Sequence, residues 1–388
     1  MMKIGFDAKR ALLNHSGLGN YSRTLIKAFY TCYPENQYYL FTPKTGENYL
    51  EELSVSQSEI ISPSSFLDKN FHSYWRSYKL ASTSKNLELD IYHGLSHELP
   101  IGIERTGIKT VVTIHDLIFE RFPDHYPYID RITYKKKIQY ACNIADSIVA
   151  ISEQTKQDLV DFYKIDEAKI KVIYQGCENI FKEAIDEKHD YYVKNRYNLP
   201  EKYLLHVGSY NKRKNHINLL EAYKLIKDQS DIKLVLVGSG GSQEQAIRQY
   251  IHKNNLINNV VLIQKVNNKD LSYIYKNAEA LVYNSLFEGF GIPILEAFSS
   301  GIPVITSTGS CFEEVGGDAC IYVDALDYKA LAQNILELMQ DDTKKQELIN
   351  KGFSRSKIYS NEHIANEYMS IFLSLLNTHN ESDNTKSV

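Results

Sequence analysis

The 388-residue sequence contains no Asp-x-Asp, so the acidic pair that often holds a metal ion against a diphosphate is missing. It has no Cys-x-x-Cys either. Its five cysteines (Cys32, Cys142, Cys177, Cys311 and Cys320) are odd in number and scattered, which speaks against a disulfide framework or a zinc site and for reduced thiols in a cytosolic protein. No companion His pair stands at ligand spacing. There is no basic excess: 44 Lys and Arg face 48 Asp and Glu, a formal charge of −4, which argues against broad nucleic-acid binding. No apolar run approaches the ~18 residues that a membrane-spanning helix needs. Met1 to Phe6 leads straight into an apolar strand, so no signal peptide is expected. The expectation is a cytoplasmic protein, soluble or at most peripheral at the inner membrane face.

What is present is ordinary for a soluble enzyme: 43% hydrophobic and 24% charged residues, over a length that supports about two domains. Short apolar runs alternate with amphipathic stretches. Strands are expected at Lys3 to Asp7, Tyr38 to Thr42, Ile91 to His93, Thr110 to Ile114, Ser147 to Ile151 and Lys171 to Tyr174. A second series falls at Tyr203 to Val207, Lys233 to Val237, Val260 to Ile263, Ala280 to Tyr283 and Pro303 to Thr306. Continuous apolar runs with helical stretches between them, such as Tyr21 to Tyr33 and Asn215 to Asp228, predict α/β architecture with parallel sheets covered on both faces. The charged, weakly periodic stretch from Lys182 to Pro200 reads as a link between two Rossmann-like domains, 1–180 and 200–360, and the polar residues 377–388 as a disordered tail.

The most informative segment is Glu288-Gly-Phe-Gly-Ile-Pro-Ile-Leu-Glu296. Gly289 and Gly291 let the backbone turn sharply and approach a ligand. Pro293 suits a first helical position, so a helix is expected from there to about Ser300. The free N–H groups at its start make a site for phosphate oxygens. Glu288 before that helix and Glu296 one turn inside it can face one bound molecule, and carboxylates accept hydrogen bonds from vicinal hydroxyls. Phosphate flanked by sugars describes a nucleotide-sugar.

This segment, with Ala297-Phe298-Ser299-Ser300-Gly301-Ile302-Pro303-Val304-Ile305, resembles the E-x7-E block of retaining glycosyltransferases of family 4, and the likeness runs over about residues 3 to 375. The resemblance implies a GT-B fold: two Rossmann-like domains facing across a deep cleft, with a last helix, here 361–376, crossing back to the N-terminal domain. It implies that Glu288 contacts the transferred sugar and that Glu296 holds the ribose hydroxyls. Backbone amides near Phe290, Gly291 and Ile292 would serve the donor. It further assigns the diphosphate to Arg213 and Lys214, in Gly208-Ser-Tyr-Asn-Lys-Arg-Lys-Asn215, with Lys212 an exposed neighbour. Ser209 departs from the family, where Arg often follows that glycine, and Arg213 would supply the missing charge. Arg offers a planar fork and Lys a point charge.

By the same resemblance His115, after the strand Thr110 to Ile114, hydrogen-bonds the donor sugar, while Asp116 orients it or stabilises the loop. The glycine loop Ser16-Gly17-Leu18-Gly19 approaches donor phosphates and acceptor, so a side chain at Gly17 or Gly19 would intrude on the reaction space. His93 would help shape the acceptor pocket. Val266 would meet the base through its backbone, and Gly238-Ser-Gly-Gly-Ser242, which lacks a Walker lysine, would be a tight turn beneath the nucleotide. Cationic side chains and a helix start replace a metal, so neither metal nor other cofactor is expected. The basic stretch Arg131 to Lys137, with Lys79 and Arg76 near Trp75 and Tyr78, raises the expectation of contact with anionic lipid headgroups.

The implied activity is a retaining, metal-independent hexosyltransferase of polysaccharide or lipopolysaccharide assembly. GDP-mannose is the first donor candidate, with UDP-glucose, UDP-N-acetylhexosamine and a dTDP-6-deoxyhexose open beside it, and a glycan or lipid-linked oligosaccharide is the acceptor. A GT-B epimerase or phosphorylase, or a non-catalytic nucleotide-sugar-binding subunit, are the alternatives.

Overall fold

Aliphatic runs without polar alternation can be satisfied only by strands covered on both faces, and the expected runs form such strands. The computed structural model describes residues 1–14, 17–44, 53, 59–65, 68 and 71–384. The chain divides into two units: Met1–Gly176 with the chain from Ser360 onward, and Cys177–Tyr359.

Among the described residues, seven strands build the sheet of the first unit: β1 (Lys3–Asp7), β2 (Gln37–Phe41), β3 (Ile60–Ile61), β4 (Ile91–Gly94), β5 (Lys109–Ile114), β6 (Ser147–Ala150) and β7 (Ile170–Val172). Their order is β3-β2-β1-β4-β5-β6-β7, with every pairing parallel. The order reverses between β1 and β4, and open α/β sheets bind ligands beyond the carboxyl ends of strands at such a point. In one core cluster Ile4, Phe6 and Ile91 pack with Leu25 and Phe29 of the helix Gly17–Cys32. In the other, Tyr92, Val112 and Ile148 pack with Trp75, Leu80 and Ile138.

The last helix, Asn361–Asn384, belongs to this first unit, as the resemblance implied. Tyr368 OH lies 2.6 Å from Tyr21 OH and 3.0 Å from Thr113 Oγ1. Phe372 stacks on Phe29 at 5.5 Å. His93, expected at the acceptor rim, is instead fully buried. Its Nε2 meets Thr113 Oγ1 at 2.8 Å and its ring lies 5.0 Å from that of Tyr368. It shares the Ile91 face of β4, which the helix covers. The helix continues through residues expected as a disordered tail, as far as Asn384; residues 385–388 lie outside those described.

Among the described residues, six strands form the second sheet: β8 (Tyr203–Val207), β9 (Lys233–Val237), β10 (Val260–Ile263), β11 (Ala280–Tyr283), β12 (Val304–Ser307) and β13 (Cys320–Val323). The order β10-β9-β8-β11-β12-β13 is again parallel throughout, and it reverses between β8 and β11. Leu204, Leu236 and Val282 pack with Leu219, Leu220 and Tyr223 of the helix His216–Ile226.

The expected link needs correction. Within Lys182–Pro200, Glu187–Arg196 is a helix started by the Asp186 side chain, which accepts from Lys188 N–H. It is anchored in the second unit: His189 Nε2 meets Asp270 Oδ1 at 2.9 Å, and Asn277 Nδ2 donates to Asp190 at 2.6 Å. Val193 is its one buried residue, so it carries almost no hydrophobic periodicity to read.

Candidate active site

The two strands that flank the reversal of the second sheet each end in a loop carrying candidate residues. After β8 the chain is pinned to the neighbouring loop: Tyr210 N–H donates to Gly240 O at 2.9 Å and Gly208 N–H to Val237 O at 2.9 Å. A Cβ on Gly238 would run into the carbonyl of Gly208. Gly240 and Gly241 have φ of +66° and +96°, so Gly238–Ser242 is a tight turn that buttresses the basic loop. The Asn211 side chain accepts from Lys214 N–H at 3.3 Å, closing a single 3-10 turn over Lys212–Lys214. That turn leaves Lys212 exposed and buries Lys214.

After β11 comes Glu288. Its carboxylate pairs with Arg213, and Lys214 Nζ lies 2.6 Å from its Oε1. Lys214 also donates to Tyr283 OH at 2.8 Å, and Arg213 Nη1 to Phe287 O at 2.5 Å. Burial alone would raise the Glu288 pKa, but Arg213 and Lys214 outweigh it and hold the group at about 2. Burial pulls the Lys214 ammonium below its usual range; Glu288 opposes that shift and Arg213 adds to it. The site is therefore a buried carboxylate shared by two cations.

Two residues that sequence reasoning missed hold this loop. Ser310 Oγ accepts from Glu288 N–H at 3.1 Å and donates to Glu288 O at 2.9 Å, and Cys311 Sγ donates to Phe290 O at 2.9 Å. The Phe290 ring packs edge-on against Tyr359 at 5.7 Å, which anchors the loop. Gly291, at φ +102°, precedes the helix Ile292–Ser300, which has Pro293 in its first turn and no side-chain cap. Glu296 is buried and accepts from Tyr275 OH at 2.7 Å. Burial raises its pKa to about 7, with Tyr275 pulling down and Glu178 pushing up. Tyr275 comes from the helix Asn268–Lys276 and carries no signal of its own in the sequence. Val266 is half-buried between β10 and that helix, after Lys265 at φ +55°.

In the first unit His115 follows β5 and is buried. Its Nε2 lies 2.9 Å from Leu95 O, and a carbonyl only accepts, so Nε2 carries the proton and Nδ1 accepts from Gln175 Nε2 at 3.0 Å. Burial and then His97 lower its pKa to about 3, so the ring is neutral. Tyr21 packs edge-on against it at 4.6 Å and His97 at 5.3 Å. Both ring nitrogens are thus occupied, by Leu95 O and by Gln175. Asp116 Oδ1 accepts from Ile118 N–H at 3.0 Å and so supports the loop.

A Cβ on Gly17 would meet open space, whereas one on Gly19 would meet the carbonyl of Asn14. The expectation that both glycines clear room for a ligand is corrected for Gly19, which makes room for its own backbone. Ser16 lies outside the described residues. The basic surface also needs correction. Trp75 is buried, and Arg76 is paired with Asp7 at 2.5 Å and Glu98 at 2.7 Å, so neither faces lipid. Phe71, Tyr74, Tyr78, Tyr128, Ile129, Ile132 and Tyr134 are exposed apolar groups of that region. Among the described residues, no helix is long and apolar enough to cross a membrane, and no group of three or more His, Cys, Asp or Glu could hold a metal ion.

The model for Glycosyltransferase Family 4 matches residues 16–178, and that for Glycosyl transferases group 1 matches residues 188–355. O-antigen chain mannosyltransferase B of Escherichia coli is 26% identical over 392 residues, covering 96% of this chain and 99% of that protein. O-antigen chain mannosyltransferase RfbU of Salmonella typhimurium is 26% identical over 269 residues, covering 69% and 70%. Among solved structures, Anabaena HepE in complex with UDP and glucose superimposes with a TM-score of 0.74 at 17% identity, covering 96% of this chain and all of that one. WaaG, a glycosyltransferase involved in lipopolysaccharide biosynthesis, gives 0.71 at 15% identity, covering 96% and 99%. Two parallel Rossmann-like sheets, a final helix returned to the first of them, and two family models that together span both units lead to one conclusion: this chain belongs to the family 4, group 1 glycosyltransferases of GT-B fold.

Proposed function

We propose that the protein is a retaining, metal-independent hexosyltransferase that moves a hexose, mannose from GDP-mannose first among the candidates, to a hydroxyl of a glycan or lipid-linked acceptor in polysaccharide assembly. The observation that carries the reading is the meeting of Arg213, Lys214 and Glu288 at the reversal point of the second sheet. The choice of mannose is supported by two relatives whose names make them O-antigen mannosyltransferases.

The donor's diphosphate takes Arg213 and Lys214, and the uncapped start of the helix Ile292–Ser300 adds N–H donors and its dipole. Glu288 stays ionised at its depressed pKa and turns to a hydroxyl of the sugar. Backbone amides at Phe290 and Gly291 position the same ring, Glu296 accepts from the ribose hydroxyls, and Val266 meets the base through its backbone. His115, neutral, hydrogen-bonds a sugar hydroxyl after exchanging a partner, and the open side of Gly17 admits substrate. No side chain needs to act as a nucleophile: the departing phosphate oxygen takes the acceptor's proton on the face it leaves, and the anomeric configuration is kept. The exposed Tyr128 and Ile129 at the start of the basic helix Tyr128–Ile144 bring the enzyme against an anionic membrane surface.

The test is a panel of nucleotide-sugars, scored for acceptor-independent hydrolysis and, with an acceptor, for product anomer by NMR. GDP-mannose is expected to be consumed fastest, with retention and without loss of rate in EDTA. An inverted product, or activity lost in EDTA and restored by Mg²⁺ or Mn²⁺, defeats the mechanism.

A further inference from the structure

The strands β4 and β5 end side by side, with Gly94 opposite Val112, and the loop that leaves β4 is woven into the end of β5. Leu95 O accepts from His115 Nε2–H at 2.9 Å, and His97 N–H donates to Thr113 O at 3.0 Å. Gly94 lies so close to the far end of the loop that a Cβ there would run into the Glu98 carbonyl. The Glu98 carboxylate is itself tied to Arg76 at 2.7 Å and to Lys137 at 3.2 Å. A loop fixed at so many points can hold a residue in a costly conformation. His97 is that residue, with φ at +64°.

Its ring is the part of the loop left without partners. It packs edge-on against His115 at 5.3 Å. Its Nδ1 is nevertheless buried and unpaired, and among the described residues no hydrogen bond reaches Nε2. A buried polar atom in that state is destabilising and calls for a cause. Burial, then Arg10, lower the pKa of the ring to about 4, and a neutral imidazole carries one donor and one acceptor. A hydroxyl, which also donates and accepts, matches that pair; an ionised phosphate or carboxylate offers acceptors alone. The residue is half-buried, so the ring is not sealed from a solute. His115 beside it has both nitrogens taken. Of the two touching imidazoles, His97 has the hydrogen-bonding capacity to spare.

We propose that His97 hydrogen-bonds a hydroxyl of the transferred hexose, and that the His115 ring fixes its orientation. The inference rests on the glycosyltransferase reading above and adds a sugar-binding residue to it. The choice of the transferred sugar follows from the contact with His115, which that reading places on the same ring. The left-handed backbone at His97 is then the cost of holding the imidazole there.

The experiment compares the full chain with H97F and H97G, using the nucleotide-sugar that the unaltered protein hydrolyses fastest without an acceptor. Phe keeps a ring against His115 and the same backbone conformation but has no nitrogens. H97F should lower kcat/KM for hydrolysis by about fivefold or more, the worth of one hydrogen bond. Its affinity for the free nucleoside diphosphate, measured by calorimetry, should stay as in the unaltered protein, because the nucleotide is assigned to the second unit. Hydrolysis by H97F that equals that of the unaltered protein overturns the assignment. So does a parallel loss of nucleoside diphosphate affinity, which would place the damage in the fold. Should H97F fail to fold, H97G decides, since glycine suits a φ of +64°, and undiminished hydrolysis there overturns the proposal. An unaltered protein that hydrolyses no nucleotide-sugar defeats the glycosyltransferase reading and this assignment with it, whereas an active protein indifferent to both variants defeats the assignment alone.

Discussion

Glu288 is held by two cations and holds them in place in turn. Its pKa falls from 4.5 to about 2, so its contribution to stability is present above 4.5 and is lost as pH falls through about 2. Glu288→Ala leaves Lys214 buried beside Arg213 with no counter-ion, and should destabilise the fold by ~3–5 kcal/mol. The check is the urea midpoint, with Lys214→Met in the same chain restoring much of the loss; an unshifted midpoint for Glu288→Ala alone refutes the coupling. Glu296 has the opposite sign. Its pKa rises from 4.5 to about 7, so in the empty protein its stabilising share is full below 4.5 and lost as pH rises through about 7. The proposed ribose contact requires the carboxylate, so affinity should climb as pH passes that value, with release of a proton. Calorimetry in buffers of different ionisation heat measures this, and Glu296→Gln should flatten the profile. Tyr275→Phe should move the profile to higher pH and weaken binding by ~1.5–3 kcal/mol, the worth of a hydrogen bond to a charged group; a profile that stays in place removes Tyr275 from the site. The two glutamates stood out in the sequence because glycines and a proline stand at fixed offsets from them, and the structure brings Glu288 together with the basic pair. Tyr275, Tyr283, Ser310 and Cys311 were not, because each reaches the site from another element and nothing in the local sequence marks its direction.

Elements were legible in proportion to what they bury. Most strands announced themselves as apolar runs, but β3 and β13 were missed; β3 has only two residues and β13 is half-buried at Ile321 and Tyr322. The helix Glu187–Arg196 was missed because one apolar residue suffices to dock it when Asp190 and His189 supply polar anchors. The glycine loop gives the cleanest test at this scale. Gly17→Ala meets open space at the first position of a helix and should leave stability unchanged or raise it by up to ~1 kcal/mol. Gly19→Ala forces a methyl onto the Asn14 carbonyl, where Arg23 already ties the turn through Ala11 O and Asn14 O at 2.9 Å each. It should cost roughly 1–3 kcal/mol, as overpacking does. Turnover that falls in a fully stable Gly17→Ala variant identifies its open side as substrate space. Turnover that survives there assigns the loop a purely structural part.

At the scale of the whole molecule, the two units differ in how they could stand alone. The second unit is continuous in sequence, and its core is built from its own residues. The first is not, because it borrows the final helix from the far end of the chain. Tyr368 closes the hydroxyl contacts of Tyr21 and Thr113, while Phe372 covers Phe29 and the ring of His93. Removing the chain from Ser360 onward would open that apolar face to water and leave His93 and Thr113 uncovered in it. A fragment of residues 177–359 should therefore fold cooperatively and keep the nucleotide affinity of the intact protein. A fragment of residues 1–176 should lose near-UV dichroism, expose hydrophobic surface and aggregate. Adding a separate peptide of residues 360–384 should restore its dichroism in proportion to peptide concentration, because binding to the folded state alone shifts the equilibrium by mass action. A well-folded 1–176 fragment without that peptide would show that the sheet and the helix Gly17–Cys32 suffice, and the returning helix would then be a tether between units and not part of the first unit's core.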